Sequence, residues 1–232
     1  MRNSVSFSAV LAAVACLALS FGTCALAQSN ASPTAGNGTY VASDPLSGVR
    51  YDNRFDVSLG MAYDHMKAGA NVLQGANLGG ADLSASYWLF KHLGVEGSGR
   101  AYLGSSGAGT TNPSALHGPF VGQYLFVAGP EWLGPHNKHG AVIAHAMFGG
   151  AYFDAHLGNV TPLTENFYYN QIAPAAIIGG HIDLNRSAHW VFRVTPDVVM
   201  THYTMPYTPA VSQFDLNFAL SVGVEYKFSK KR

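Results

Sequence analysis

The chain has 232 residues, and its 13 Lys and Arg balance 13 Asp and Glu, so the formal charge is zero and no surface suited to nucleic acid is expected. Only 11% of residues are charged, against roughly 25% in soluble domains, while 12% are aromatic and Gly is abundant. Beyond residue 21 no apolar run is long enough for a spanning helix, which excludes a helical membrane protein.

Arg2 precedes an uncharged, Ala- and Leu-rich run over 9–21, and Ala25-Leu26-Ala27 reads as a small-x-small cleavage site. Residues 1–27 are therefore expected to be a secretory signal peptide. Both cysteines, Cys16 and Cys24, fall inside it, so a mature chain of about 205 residues uses no disulfide, thiolate metal site or Cys nucleophile. A lipidated Cys24 is the rival reading, which Phe21-Gly22-Thr23 fits poorly. Residues 28–53, rich in Ser, Ala, Gly, Asn and Pro without a period, read as a flexible periplasmic leader.

Alternation starts at residue 55. Phe55, Val57, Leu59, Met61 and Tyr63 share one face, and Asp56, Ser58, Gly60, Ala62 and Asp64 the other, as in a half-apolar strand. A second strand over 80–90 sets Leu83, Ala85, Tyr87 and Leu89 against Asp82, Ser84 and Ser86, with Trp88 and Phe90 breaking the polar side. After a tight turn at Lys91-His92, a third over 93–103 opposes Leu93, Val95, Ala101 and Leu103 to Glu96, Ser98, Arg100 and Tyr102. Gly97 and Gly99 sit on its apolar face, where they permit curvature. The fourth, 120–132, carries Tyr124, Phe126, Ala128 and Trp132 opposite Gln123 and Glu131, with Leu125 and Val127 interrupting the polar face. The fifth, 141–152, places Val142, Ala144, Ala146, Phe148 and Tyr152 against His145.

The sixth, 175–184, turns Ile182 and Leu184 out and His181 and Asp183 in. The seventh, 190–201, sets Trp190, Phe192, Val194, Val198 and Met200 against Arg193, Thr195, Asp197 and Thr201. Pro196 within it predicts a bulge or weakened pairing. The eighth, 213–228, has the cleanest period: Phe214, Leu216, Phe218, Leu220, Val222, Val224, Tyr226 and Phe228 alternate with polar or small residues. It exceeds both the usual soluble strand of about 5 or 6 residues and the roughly 9–11 needed to cross a bilayer at a tilt. The connections alternate long and short, as outer-membrane barrels with long extracellular loops and short periplasmic turns require.

Two features turn the apolar face toward lipid rather than a protein core. None of the eight apolar rows holds Asp, Glu, Lys or Arg, and aromatics gather near strand ends at Phe55, Tyr63, Trp132, Tyr152, Trp190, Phe214, Tyr226 and Phe228. A secreted sandwich or lipocalin-like soluble barrel is the alternative. The prediction is an all-β, eight-stranded antiparallel up-and-down transmembrane β-barrel over 54–228, monomeric, with a basic tail over 229–232.

The pattern resembles the small outer-membrane β-barrels of the OmpA-like and OmpX-like kind. Ser221, Gly223, Tyr226 and Phe228 match the polar-x-Gly-x-x-aromatic-x-aromatic assembly signal of that family, and residues 179–186 with 190–197 are similar to the hairpin of its sixth and seventh strands. The resemblance implies a Gram-negative outer-membrane location among lipid and lipopolysaccharide, and insertion by the barrel assembly machinery. Here the chain runs past the final aromatic to Ser229-Lys-Lys-Arg232 and shows no peptidoglycan-binding segment, so attachment to the cell wall is not expected.

Eight strands enclose a lumen that side chains roughly fill. Asp56, Asp82, Glu96, Arg100, Glu131, Arg193, Asp197, Asp215, Glu225 and Lys227 point inward by parity. Arg100 and Arg193 are the natural hubs of a lumen charge network, with Glu96, Glu131, Asp197 and Glu225 as carboxylate partners. That network either holds the barrel shut or, by switching partners, gates a narrow water path. Neither His136 with His139 nor Asp154 with His156 offers three convergent ligands, so no metal and no cofactor are expected, and His181 and Asp183 are assigned to the polar network. His202-Tyr203-Thr204 is the nearest approach to a lipid-acting hydrolase but lacks an acidic partner at fixed spacing, so no enzyme is expected. The sequence thus predicts a structural or surface-interaction role, or porin-like passage of small solutes, with the long loops, including Phe167, Tyr168 and Tyr169, available to an extracellular ligand. The alternative is an outer-membrane barrel enzyme acting on lipid A or another envelope lipid.

Overall fold

A computed structural model describes residues 44–66, 76–106, 120–156, 168–205 and 211–228. The expected signal peptide, most of the leader, the basic tail and Phe167 lie outside them. The chain forms β1 (Phe55–Met66), β2 (Ala76–Trp88), β3 (Leu93–Ser106), β4 (Phe120–His136), β5 (Gly140–His156), β6 (Gln171–Asn185), β7 (Trp190–Met205) and β8 (Val211–Lys227). Each strand pairs antiparallel with the next, and β8 returns to β1 from Asp56 opposite Lys227 to His65 opposite Phe218, closing the barrel.

Parity decides which side chains meet which environment. Asp56, Asp82, Glu96, Arg100, Glu131, Arg193, Asp197 and Glu225 are buried in the lumen, while Leu59, Met61, Leu83, Phe126, Phe148, Ile172, Leu216 and Phe218 project outward and exposed. Between the rims this exterior carries no charged side chain among the described residues; the outward carboxylate at the far rim is Asp154, held by the Asn170 amide at 2.7 Å. An apolar exterior on a closed sheet with a polar interior is the inverse of a soluble barrel, and it identifies a transmembrane barrel.

Several strands run past their expected ends, chiefly at the rim of the long loops: β2 begins at Ala76, β6 at Gln171, and β3 and β7 continue to Ser106 and Met205. The periodicity fades there because no hydrocarbon enforces it, yet the backbone ladder needs no side-chain pattern to continue. Pro196 has the anticipated effect in its weaker form. Pairing of β6 with β7 lapses between Gly179–Asp197 and Ile182–Val194 and resumes in the same register, so no residue is bulged. Pro130 coincides with a similar lapse between β4 and β5, whereas a true register shift occurs between Leu133 and His136. At the closing seam Gly60 faces Gly223, and a Cβ on Gly223 would run into the Leu59 carbonyl. Only glycine lets the two backbones approach so closely.

Candidate functional site in the barrel lumen

The lumen is layered. At the end bearing the short turns, Tyr51 caps the mouth: its hydroxyl donates to the Asn137 carbonyl at 3.0 Å and accepts from the Asn185 amide at 2.7 Å. The Lys227 ammonium sits 4.4 Å from the centre of its ring. Burial holds the Tyr51 phenol above its ordinary pKa. Asp44 pairs with Lys138 at 3.1 Å, and the Leu46 backbone N–H, then Lys138, keep its carboxyl below the ordinary range. Residues 44–53, expected as leader, therefore dock on the barrel. Beneath them a cavity of about 330 Å³ is lined by Tyr51, Asp56, Trp88, Ile143, Glu225 and Lys227, among others. Trp88, the residue that interrupted the polar side of β2, turns inward and donates its indole N–H to Asp56 at 2.8 Å.

Next comes the ionic layer. Arg193 donates through Nε and Nη2 to the two oxygens of Asp183 at 2.8 and 2.9 Å, and its Nη2 also lies 2.5 Å from Glu225. Asp183 stands directly across the β6–β7 ladder from Arg193. Arg100 contacts Asp197 at 2.6 Å and Asp82 at 3.6 Å, and Asp82 accepts further from Ser98 at 3.1 Å and Ser221 at 2.8 Å. Gly179 makes this possible, since a Cβ there would strike the Asp197 carboxylate. Between the two arginine clusters, His145 links Glu96 through Nδ1 and Asp197 through Nε2, both at 2.8 Å.

Toward the long loops the lumen becomes apolar. Tyr102, Leu125, Met147, Phe153, Tyr168, Ile177, Val199 and Tyr203 are buried together, and the rings of Phe153, Tyr168 and Tyr203 lie 5.2–5.7 Å apart by centroid. Tyr168, from the segment before β6, folds into the barrel and donates to Asp215, while Tyr203 accepts from Gln123 at 3.0 Å. Leu125 and Val127, which broke the polar face of β4, belong to this plug.

The six residues of the expected charge network thus divide. Arg100 with Asp197, and Arg193 with Glu225, come together. Glu96 instead faces His145 and His181, and Glu131 accepts from Ser86 at 3.1 Å. Sequence reasoning passed over Asp82 and Asp183 as the arginines' partners and His145 as the link. The signal lay in the turns: counting outward from them sets Asp82 opposite Arg100 and Asp183 opposite Arg193. In the assembly motif, Ser221 is buried on Asp82 and Gly223 lies at the seam. Tyr226 and Phe228 join Trp190 and Phe55 in an outer aromatic cluster with centroids 5.0–5.2 Å apart.

Of the remaining candidates, His136 hydrogen-bonds the Gly134 carbonyl at 2.9 Å beside the Tyr51 ring. His202 lies against Phe214, 4.2 Å between ring centroids, and the Thr204 backbone is bracketed by Gln171. Tyr203 between them points the opposite way, into the plug.

A closed eight-stranded barrel, apolar outside and with a buried ionic layer within, has the architecture of small bacterial outer-membrane proteins. The fold is similar to that of the outer membrane protein OprG from Pseudomonas aeruginosa, with a TM-score of 0.52 and 12% identity over 79% of this chain and 99% of that one. It is also similar to Neisserial surface protein A, with a TM-score of 0.50 and 14% identity over 75% of this chain and 97% of that one. No family model and no curated protein sequence matches the chain.

Proposed function

We propose that the protein is a non-conducting outer-membrane barrel that serves the envelope as a structural and surface-contact element. The observation that carries this reading is the double closure of the lumen. Tyr102, Phe153, Tyr168 and Tyr203 fill one level, and the Arg100 and Arg193 ion clusters cross the next. Each guanidinium faces two carboxylates, so parting them leaves a buried ion without compensation, a penalty of several kcal/mol. Partner switching is therefore a poor gate. Outer-membrane lipid and lipopolysaccharide surround the belt in this reading, the barrel assembly machinery receives β8, and the long loops present the contact surface to an extracellular ligand. Planar-bilayer recording of the purified protein tests it. The expected trace is flat at moderate voltage, and discrete conductance steps, reproducible between preparations, would replace this reading with that of a small-solute channel.

A further inference from the structure

Glu96 of β3, His145 of β5 and His181 of β6 bring three donor atoms to one point of the lumen. Glu96 Oε2 lies 2.8 Å from His145 Nδ1 and 3.0 Å from His181 Nε2, and those two nitrogens are 3.2 Å apart. All three side chains are buried. A tetrahedral zinc ion, with bonds of about 2.0–2.2 Å to His and carboxylate, holds its ligand atoms roughly 3.3–3.5 Å apart. The edges of the triangle therefore need to open by roughly 0.1 to 0.7 Å, within reach of small χ rotations, to admit one.

The far side of each ring is held as metal-ligating histidines are held. His145 Nε2 faces Asp197 Oδ1 at 2.8 Å, and His181 Nδ1 faces Thr195 Oγ1 at 2.8 Å. Such outer contacts fix ring orientation and leave the inner nitrogen aimed at the ion. Two further observations point to a cation rather than to a hydrogen-bonded cluster alone. Glu96 Oε1 is buried and has no hydrogen-bond partner, although it belongs to the carboxylate at the centre of the group. Among the described residues, nine buried Asp and Glu side chains are matched by three buried Arg and Lys, so the lumen is short of positive charge. A proton on His145 would link Glu96 to Asp197. It would not occupy Oε1.

We infer that Glu96, His145 and His181 form a buried site for a single divalent transition-metal ion of the zinc class. One nitrogen from each histidine and Oε2 of Glu96 supply three donors at that spacing, and Oε1, held beside Oε2 in the same carboxylate, adds a fourth by chelation, so the coordination is distorted from tetrahedral. Imidazole and carboxylate together suit zinc, copper, iron or nickel rather than calcium or magnesium. With its positions filled by protein and its surroundings closed to the aqueous phase, the site is structural: it ties β3 across the lumen to β5 and β6.

The test uses the full chain, extracted from membranes and also refolded from urea into detergent with Zn²⁺ or Co²⁺ present, then passed through a chelating column. Elemental analysis is expected to find about one ion per folded chain, and the Co²⁺ form should show the visible bands of a four-coordinate ion. Thr195→Val, which removes only an outer contact, should weaken retention about tenfold. His181→Gln should abolish it, and the mouth control His136→Gln should leave it unchanged. A folded wild-type protein that emerges metal-free and without cobalt bands overturns the proposal. So does an ion that survives His181→Gln but is lost in His136→Gln. If His181→Gln fails to fold, the wild-type cobalt spectrum and the Thr195→Val titration decide the matter.

Discussion

Arg193 shows how much rests on one side chain in a closed lumen. Its guanidinium faces Asp183 through two parallel N–H bonds and reaches Glu225 as well. Arg193→Ala leaves two carboxylates buried without their cation, and the expected loss of stability is about 3–5 kcal/mol. Urea unfolding of the detergent-solubilised protein, followed by the shift between folded and unfolded bands on a gel, measures it. The triple substitution Arg193→Met, Asp183→Leu and Glu225→Met should recover most of that loss, because it removes the charges together. Arg193→Ala molecules that insert should also record a flat bilayer trace, as the aromatic plug remains.

The same cluster marks the limit of what residues alone reveal. Strand parity was enough to place Arg100, Arg193 and their acids inside. It could not distribute them, since any inward acid lies within reach of any inward base until strand register is known. Turn geometry fixes register, and the short turns at 89–92 and 186–189 were legible in outline. The meeting of Glu96 with His145 and His181 depends on stagger across four strands, which no local pattern encodes.

Among the elements, β8 was the most readable and the most consequential. Its outward row is unbroken, and Phe218 projects toward lipid with 44% of its surface exposed. Phe218→Arg is expected to cost about 2–4 kcal/mol, whereas Phe218→Leu keeps the apolar row and should cost under about 1.5 kcal/mol. Folding yield into vesicles, read as the fraction resistant to external protease, separates the two. Equal yields would mean that the row does not face hydrocarbon. The apolar plug was less legible for the opposite reason: Leu125 and Val127 look like defects in an alternating strand when a polar lumen is assumed from end to end. They are in register with a second, internal apolar requirement.

At the scale of the whole molecule, the barrel is capped by its own N-terminal segment. Tyr51 binds Asn137 of the β4–β5 turn and Asn185 at the end of β6 through its hydroxyl. Tyr51→Phe removes both bonds, an expected loss of about 1 kcal/mol per bond at most at this half-exposed site. It should also raise protease cleavage before residue 54 while leaving the barrel intact. The pH dependence has a definite sign. The phenol's pKa is higher in the folded state than in the free chain, so the contact is fully present below the ordinary tyrosine value of about 10 and fades as pH climbs past it. Protease resistance of the segment, followed from neutral to alkaline pH, should fall at the high end in the wild type and be flat in Tyr51→Phe.

The glycine pair at Gly60 and Gly223 has a temporal consequence. The neighbours that complete the cylinder, β1 and β8, are the first and last strands of the chain, so no nascent or partly inserted form has satisfied edges until its final segment docks. Ser221 then reaches Asp82 across 139 positions of sequence, a contact that cannot form early. Sealing should therefore be all-or-none and late, and a polypeptide halted before residue 211 would be left as an open ribbon, its raw margins exposed to self-association.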